Sequence, residues 1–110
     1  MKLPNAERAV ADVSKLRDYS LNAEHPKGKH KARVFRAALG LAASDAEALR
    51  RMIIEAVLVN EATEQAPNSY GRRFVVDFRA PSTRGPVIVR STWLIRNDEE
   101  FPRLTNCFIP

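Results

Sequence analysis

The chain has 110 residues, 45% of them hydrophobic and 28% charged, with a formal net charge of +5. That suits one domain with one core, and no apolar run approaches the ~18–20 residues that a membrane-spanning helix needs. The opening "MKLPNAERAV" has no apolar signal-peptide core, and the single cysteine, Cys107, excludes an internal disulfide. The expected setting is therefore a reducing cytoplasm, reached if need be through a dedicated secretion apparatus.

Charge is unevenly placed. Residues 24–36 carry Lys27, Lys29, Lys31, Arg33 and Arg36 against Glu24 alone. Residues 37–71 are net acidic, with Asp45, Glu47, Glu55, Glu61 and Glu64 against Arg50 and Arg51. From 72 to 103 arginines again outnumber carboxylates. Two basic segments flanking an acidic one fit an anionic partner, nucleic acid first, or a plainly solvated surface.

In chain order, residues 6–11 read as a short strand or a helical lead-in. Val13, Leu16 and Tyr19 predict a short helix after Asp12. A second helix is expected from Gly28 or Lys29 to Gly40, the latter a left-handed stop. Its apolar stripe is Val34, Phe35, Ala38 and Leu39. Ser44 and Glu47 form a capping-box pattern before a third helix with Leu49, Ile53, Ala56 and Val57 at helical spacing. Residues 60–69, "NEATEQAPNS", are polar and contain a proline, and read as a linker.

Beyond the linker the period changes to two. "RRFVVDFRA" alternates, and so does "PVIVRSTWLIR", with Val87, Val89, Ser91, Trp93 and Ile95 on one face and Ile88, Arg90, Thr92, Leu94 and Arg96 on the other. "RLTNCFIP" gives a last strand, Thr105, Cys107 and Ile109 on one side and Leu104, Asn106 and Phe108 on the other. "APSTRGP" and "NDEEFP" are turns of hairpin length. The expectation is an α+β single domain over residues 1–110, with a helical half at 12–59 and a strand half at 70–110. The N-terminal helices would pack on one face of a three- to four-stranded antiparallel sheet.

One cysteine and two close histidines do not make a zinc site. A carboxylate–lysine nuclease would need a lysine near Asp77, but none follows Lys31. No phosphate-binding glycine loop is present, so no cofactor is expected. Cys107, mid-strand among apolar neighbours, reads as structural.

The stretch "EHPKGKHKARVF" is more pointed. His30 falls in the first turn of the second helix, where free N–H groups and the helix dipole favour anions. One turn before Val34, it is expected on the core-facing side, and Lys31 one turn before Phe35 likewise. Arg90 and Thr92 share a strand face, and Arg103 or Asn106 could join from the next strand. Metal-independent RNA cleavage needs a proton carrier and cations around a phosphate. His30, Lys31, Arg90 and Thr92 could supply these, unless Arg90 and Thr92 only decorate a wet sheet face. His25 lies in a loop, as a surface residue or a second candidate imidazole.

"KLRDYSLN", "EHPKGKHKARVF", "YGRRFVVDF", "VRSTWLIR" and "FPRLTNCFIP" together resemble a bacterial domain family of unknown function, typed by His-Pro-x-Gly-x-x-Lys-Ala-x-x-Phe. The resemblance covers nearly the whole chain. That family is similar to the barnase–EndoU–colicin–RelE (BECR) group of metal-independent ribonuclease toxins, which pack helices on one sheet face and cut RNA on the other. The resemblance implies a toxin or toxin-like endoribonuclease acting in the bacterial cytoplasm by 2′-hydroxyl attack. His30, Lys31, Arg90 and Thr92 would be catalytic, with His25, Lys29, Arg33, Arg103 and Asn106 holding the RNA. An acidic neutralising protein would be the partner, as in toxin–antitoxin pairs.

One departure stands out. Asn106 and Phe108 occupy positions where relatives are expected to carry Thr and Tyr. Losing both hydroxyls favours the alternative, a non-catalytic module that binds an acidic protein or RNA through a basic cleft. An immunity protein or antitoxin is a third reading, against which the positive charge argues.

Overall fold

The computed structural model describes residues 1–110. A lead-in with a 3-10 turn at Ala6–Arg8 precedes α1 at Val13–Lys15, which runs on as a π-helical turn at Leu16–Ser20. Next come α2 at Lys29–Leu39, a 3-10 turn at Ala43–Asp45, and α3 at Ala46–Val59. Four strands follow: β1 at Ala62–Asn68, β2 at Gly71–Ala80, β3 at Val87–Arg96 and β4 at Arg103–Phe108. They form one antiparallel meander in chain order. This is the expected α+β layout, helices first and strands after.

The helix starts follow from local hydrogen bonding. Asp12 caps α1 by accepting from the Ser14 N–H at 2.9 Å and its hydroxyl at 2.7 Å. These bonds, the hydroxyl's first, hold its carboxyl below the ordinary range. Gly40, at φ 68°, ends α2 in the left-handed region, and its N–H bonds the Arg36 carbonyl. The buried residues of α2 are Ala32 and Phe35, whereas Val34 faces outward at 42% exposure. The expected stripe was thus rotated: the buried arc runs through 32, 35 and 39 and leaves 34 on its rim.

The expected Ser44–Glu47 capping box does not form at α3. Asp45, not Glu47, reaches back, accepting from the Ala42 N–H at 2.8 Å. The intervening 3-10 turn shifts the helix start to Ala46. Glu47 pairs with Arg50 at 3.3 Å instead. Leu49, Ile53 and Val57 are fully buried, as their spacing requires.

The expected linker at 60–69 is largely strand. β1 pairs with β2 from Ala62↔Val76 to Asn68↔Gly71. It carries no apolar alternation because, at a sheet edge, only Ala62 is buried. Pro67, which has no N–H to give, sits where the register shifts between Gln65 and Asn68. The Arg73 guanidinium donates to the Ala66 carbonyl at 2.9 Å in that gap.

A single core lies between the helices and the inner sheet face. Its buried cluster includes Leu16, Phe35, Leu49, Ile53, Phe74, Val76, Trp93, Leu104 and Cys107. Two polar groups in it are satisfied in series. The Trp93 indole donates to Ser91 Oγ at 2.9 Å, and that hydroxyl donates to the Val76 carbonyl at 2.8 Å.

The segment before α1 resolves its ambiguity as both readings. After the 3-10 turn, Val10 makes a parallel bridge to Arg103. The Val10 N–H bonds the Pro102 carbonyl at 2.9 Å, and the Leu104 N–H bonds the Val10 carbonyl at 2.8 Å. β4 also departs from simple alternation. Thr92 pairs with Asn106 but Trp93 with Leu104, so Thr105 is an extra residue in a bulge. Leu104 and Cys107 are both buried, and Thr105, expected beside Cys107, turns outward.

Candidate functional site

The π-turn is what opens a site. Its wide closure, Leu21 N–H to Leu16 carbonyl at 2.8 Å, turns Ser20 and Leu16 inward and leaves Tyr19 half-exposed. Such turns recur at functional sites because they re-aim side chains within a helix. Between this turn and β4 lies a cleft of about 350 Å³, lined on one side by Lys15, Tyr19 and Ser20 and on the other by Thr105 and Asn106. Cys107 is part of its floor, and burial pushes the thiol up to about 12, so it stays protonated.

Thr105 links this cleft to the outer sheet face. Its hydroxyl lies 2.7 Å from that of Thr92. Both residues also line a second groove of about 350 Å³ that continues to Arg73 and Gln65. A polar path therefore runs from Lys15 over the β4 edge and across the sheet.

Lys31 lies beside the cleft, over the ring of its lining residue Tyr19. Its Nζ lies 5.2 Å from the Tyr19 ring centroid and 4.9 Å from that of Phe108. The ammonium meets two π-faces. Neither Lys15 nor Lys31 has a carboxylate partner among the ion pairs of the chain.

His25 sits beside them, its ring edge-on to Tyr19 at 4.8 Å. Its Nδ1 accepts from the backbone N–H groups of Lys27, at 3.0 Å, and Gly28, at 2.9 Å. It therefore fixes the turn that leads into α2, and an Nδ1 that accepts leaves the ring hydrogen on Nε2. Gly28 completes the device, because a Cβ there would strike the Tyr19 carbonyl oxygen. The His-Pro-x-Gly stretch is thus a clamp that fixes the α2 start against the π-turn.

The expected constellation comes together only in part. Lys31, Thr92 and Asn106 lie around β4, and Asn106 accepts from the Cys107 N–H at 2.9 Å. His30 is exposed on α2, not on the core-facing side. It follows Val34 outward, since residues one turn apart share a face. Arg90 is pinned by Asp77 through two bonds of 2.9 and 3.0 Å, which raise its pKa. Arg103 is likewise taken up by Glu99, at 2.8 and 2.7 Å. That pairing lowers the Glu99 pKa and raises that of Arg103. Lys29 and Arg33 lie on α2, half-buried and exposed respectively.

Lys15, Tyr19, Ser20 and Thr105 were not among the expected site residues. "KLRDYSLN" contained three of them, but nothing in its spacing announces a π-turn. Thr105 required the bulge. No three His, Cys, Asp or Glu side chains converge to hold a metal, and no helix is long and apolar enough to cross a membrane.

A family model described as a domain of unknown function, DUF6883, matches residues 2–110. No curated protein matches the chain, and no solved structure does.

Proposed function

The chain belongs to the DUF6883 family, and within it we propose a metal-independent endoribonuclease, a toxin or toxin-like effector that works at the α1–β4 cleft. The observation that carries this is the cleft itself. The Lys15 ammonium, in no ion pair, lines it with hydroxyl and amide groups of Tyr19, Ser20, Thr105 and Asn106, and a second unpaired ammonium, that of Lys31, lies over the Tyr19 ring beside it. Cations without carboxylate partners attract a phosphodiester, and an aromatic face stacks an unpaired base. The layout of helices on one face of a four-stranded meander fits the BECR group, to which the sequence bears a resemblance.

In this reading Lys15 and Lys31 hold the phosphate, and Thr105, Thr92 and Asn106 orient it. The 2′-hydroxyl gives up its proton to solvent at the open mouth, and its oxygen attacks phosphorus. The bond from phosphorus to the 5′-oxygen breaks, and that oxygen takes a proton from the Tyr19 phenol, whose hydroxyl makes no hydrogen bond within the chain; solvent then returns a proton to the phenolate. A 2′,3′-cyclic phosphate and a 5′-hydroxyl result. His25 serves as a hydrogen-bond donor through Nε2–H, not as the proton carrier. The site of action is the bacterial cytoplasm, and the implied partner is an acidic neutralising protein.

A second reading is a binding module that engages RNA without cutting it. One observation favours it: neither imidazole is disposed for proton transfer in the cleft, His25 being the acceptor that fixes the turn before α2 and His30 outward-facing. Incubation of the pure domain with total RNA in EDTA separates the two. Cleavage with cyclic-phosphate ends, lost in Tyr19→Phe and Lys31→Ala but kept in His30→Ala, supports the enzyme. Salt-sensitive binding with intact RNA supports the module. No binding at all rejects both.

A further inference from the structure

The carboxylates and cations of this chain are unevenly matched in space. Asp18, Glu47, Glu61, Glu64, Asp77 and Glu99 are each engaged by a cation. Asp12 and Asp45 cap turns. By contrast, Arg33 and Arg36 on α2, and Arg84 in the β2–β3 turn, belong to no ion pair. α2 itself contains no acidic residue.

These arginines frame apolar surface. A shallow groove of about 540 Å³ runs between Val34, Ala37 and Ala38 of α2 and Val87 at the start of β3, with Arg33 and Arg84 on its rim. A second, of about 450 Å³, lies on the opposite flank of α2 against the loops at 21–24 and 41–43; it shares Arg33 and Ala37, and Arg36 and Glu24 also line it. α2 is thus a low ridge between two apolar troughs. Val34 stands on it at 42% exposure.

We infer that the outer face of α2 docks an amphipathic acidic helix of a partner protein. Its apolar stripe would lie along Val34, Ala37 and Ala38, and its flanking Asp or Glu side chains would meet Arg33, Arg36 and Arg84. Charge complementarity selects this occupant. The three arginines are in no ion pair, Glu24 is the one carboxylate lining either trough, and an apolar groove beneath them suits a helix face rather than a sugar–phosphate chain. A second copy of this chain is the weaker fit, because most of its own carboxylates are already engaged. The face is separate from the α1–β4 cleft, so the inference depends on neither RNA cleavage nor RNA binding there.

The test is selection of displayed helical peptides of about four turns on the intact domain, followed by binding of the recovered peptides to Val34→Glu, Ala37→Glu and Arg33→Glu. The expected peptides carry an apolar i, i+3, i+4, i+7 stripe flanked by carboxylates, and their Kd rises about tenfold or more in each variant. Peptides without carboxylates, or binding indifferent to all three variants, overturn the inference. So does binding of an oligouridylate that Val34→Glu weakens equally, which makes the surface a nucleic-acid site. Self-association abolished by Val34→Glu in sedimentation overturns it in favour of a second copy. RNA cleavage, if present, is expected to be unchanged in Val34→Glu, so failure here and failure at the cleft remain distinguishable.

Discussion

Lys31 Nζ and the Phe108 ring centroid lie 4.9 Å apart. This joins the first turn of α2 to the last residue of β4, and it bears on both stability and binding. Lys31→Met keeps the alkyl packing and removes the charge, while Phe108→Leu removes the π-face. Cation–π contacts at partly exposed sites contribute about 0.5–1 kcal/mol, so each change is expected to lower stability by that order in urea titration. On single-stranded RNA the two differ. Lys31→Met is expected to flatten the dependence of log K on log salt by about 0.7, with Phe108→Leu leaving the slope unchanged.

The two histidines are expected to separate cleanly. His25→Ala removes the acceptor of two N–H groups at the start of α2 and is expected to cost about 1–2 kcal/mol of stability. His25→Asn, whose amide oxygen can accept in the same place, should recover part of it. His30→Ala, on an exposed helix surface, is expected to stay within about 0.5 kcal/mol. Chemical denaturation of the three variants decides the matter, and a loss in His30→Ala as large as in His25→Ala contradicts the role assigned to His25.

Gly28→Ala tests the clamp from the other side. The backbone there is ordinary, at φ −85°, so the methyl group, not conformational strain, is at issue. Its contact with the Tyr19 carbonyl oxygen forces the π-turn and α2 apart. The expected cost is about 1–3 kcal/mol, with altered tyrosine fluorescence reporting that the cleft itself has moved.

Cys107 sets an alkaline limit. Its thiol is raised by burial from 9.0 to about 12, so between those values the unfolded chain ionises and the folded one does not. The contribution is whole below the unfolded pKa and is lost as pH rises towards the folded one. The melting temperature is expected to fall above pH 9 more steeply in the wild type than in Cys107→Ala. In the native state at neutral pH the thiol should resist a disulfide reagent until the protein unfolds.

The Glu99–Arg103 pair acts at the other end of the scale. Glu99 is depressed first by its hydrogen bonds to Arg103. Its stabilisation is present above the unfolded value, 4.5, and is lost as pH falls through the lower folded one. Glu99→Gln is expected to flatten the acid limb of a melting-temperature profile, and an unchanged limb means that other carboxylates dominate it.

The parts of this fold legible in the sequence are those where burial writes a period. Leu49, Ile53 and Val57 announce α3, and the Val89–Ile95 alternation announces β3. β1 was hidden because an edge strand with one buried residue has no face to mark, and its existence is decided by backbone pairing to β2. Tyr19 and Thr105 were hidden for a related reason. A π-turn and a bulge each insert one residue into a regular repeat, and every side chain beyond the insertion changes face. His30 was misplaced through a neighbour, since its assignment leaned on Val34 being buried. Lys31 was placed well because Phe35, one turn on, is at the centre of the core.

The bridge from Val10 to Arg103 has a consequence for how the chain is made. A ribosome releases the lead-in long before the strand it joins, so helical packing can begin early but closure of the last sheet margin must await synthesis past Arg103. Pairing across so great a sequence separation is slow to form. Until then β4's seat lies bare, and the half-finished molecule is at its most vulnerable to proteases and to mispairing with its siblings.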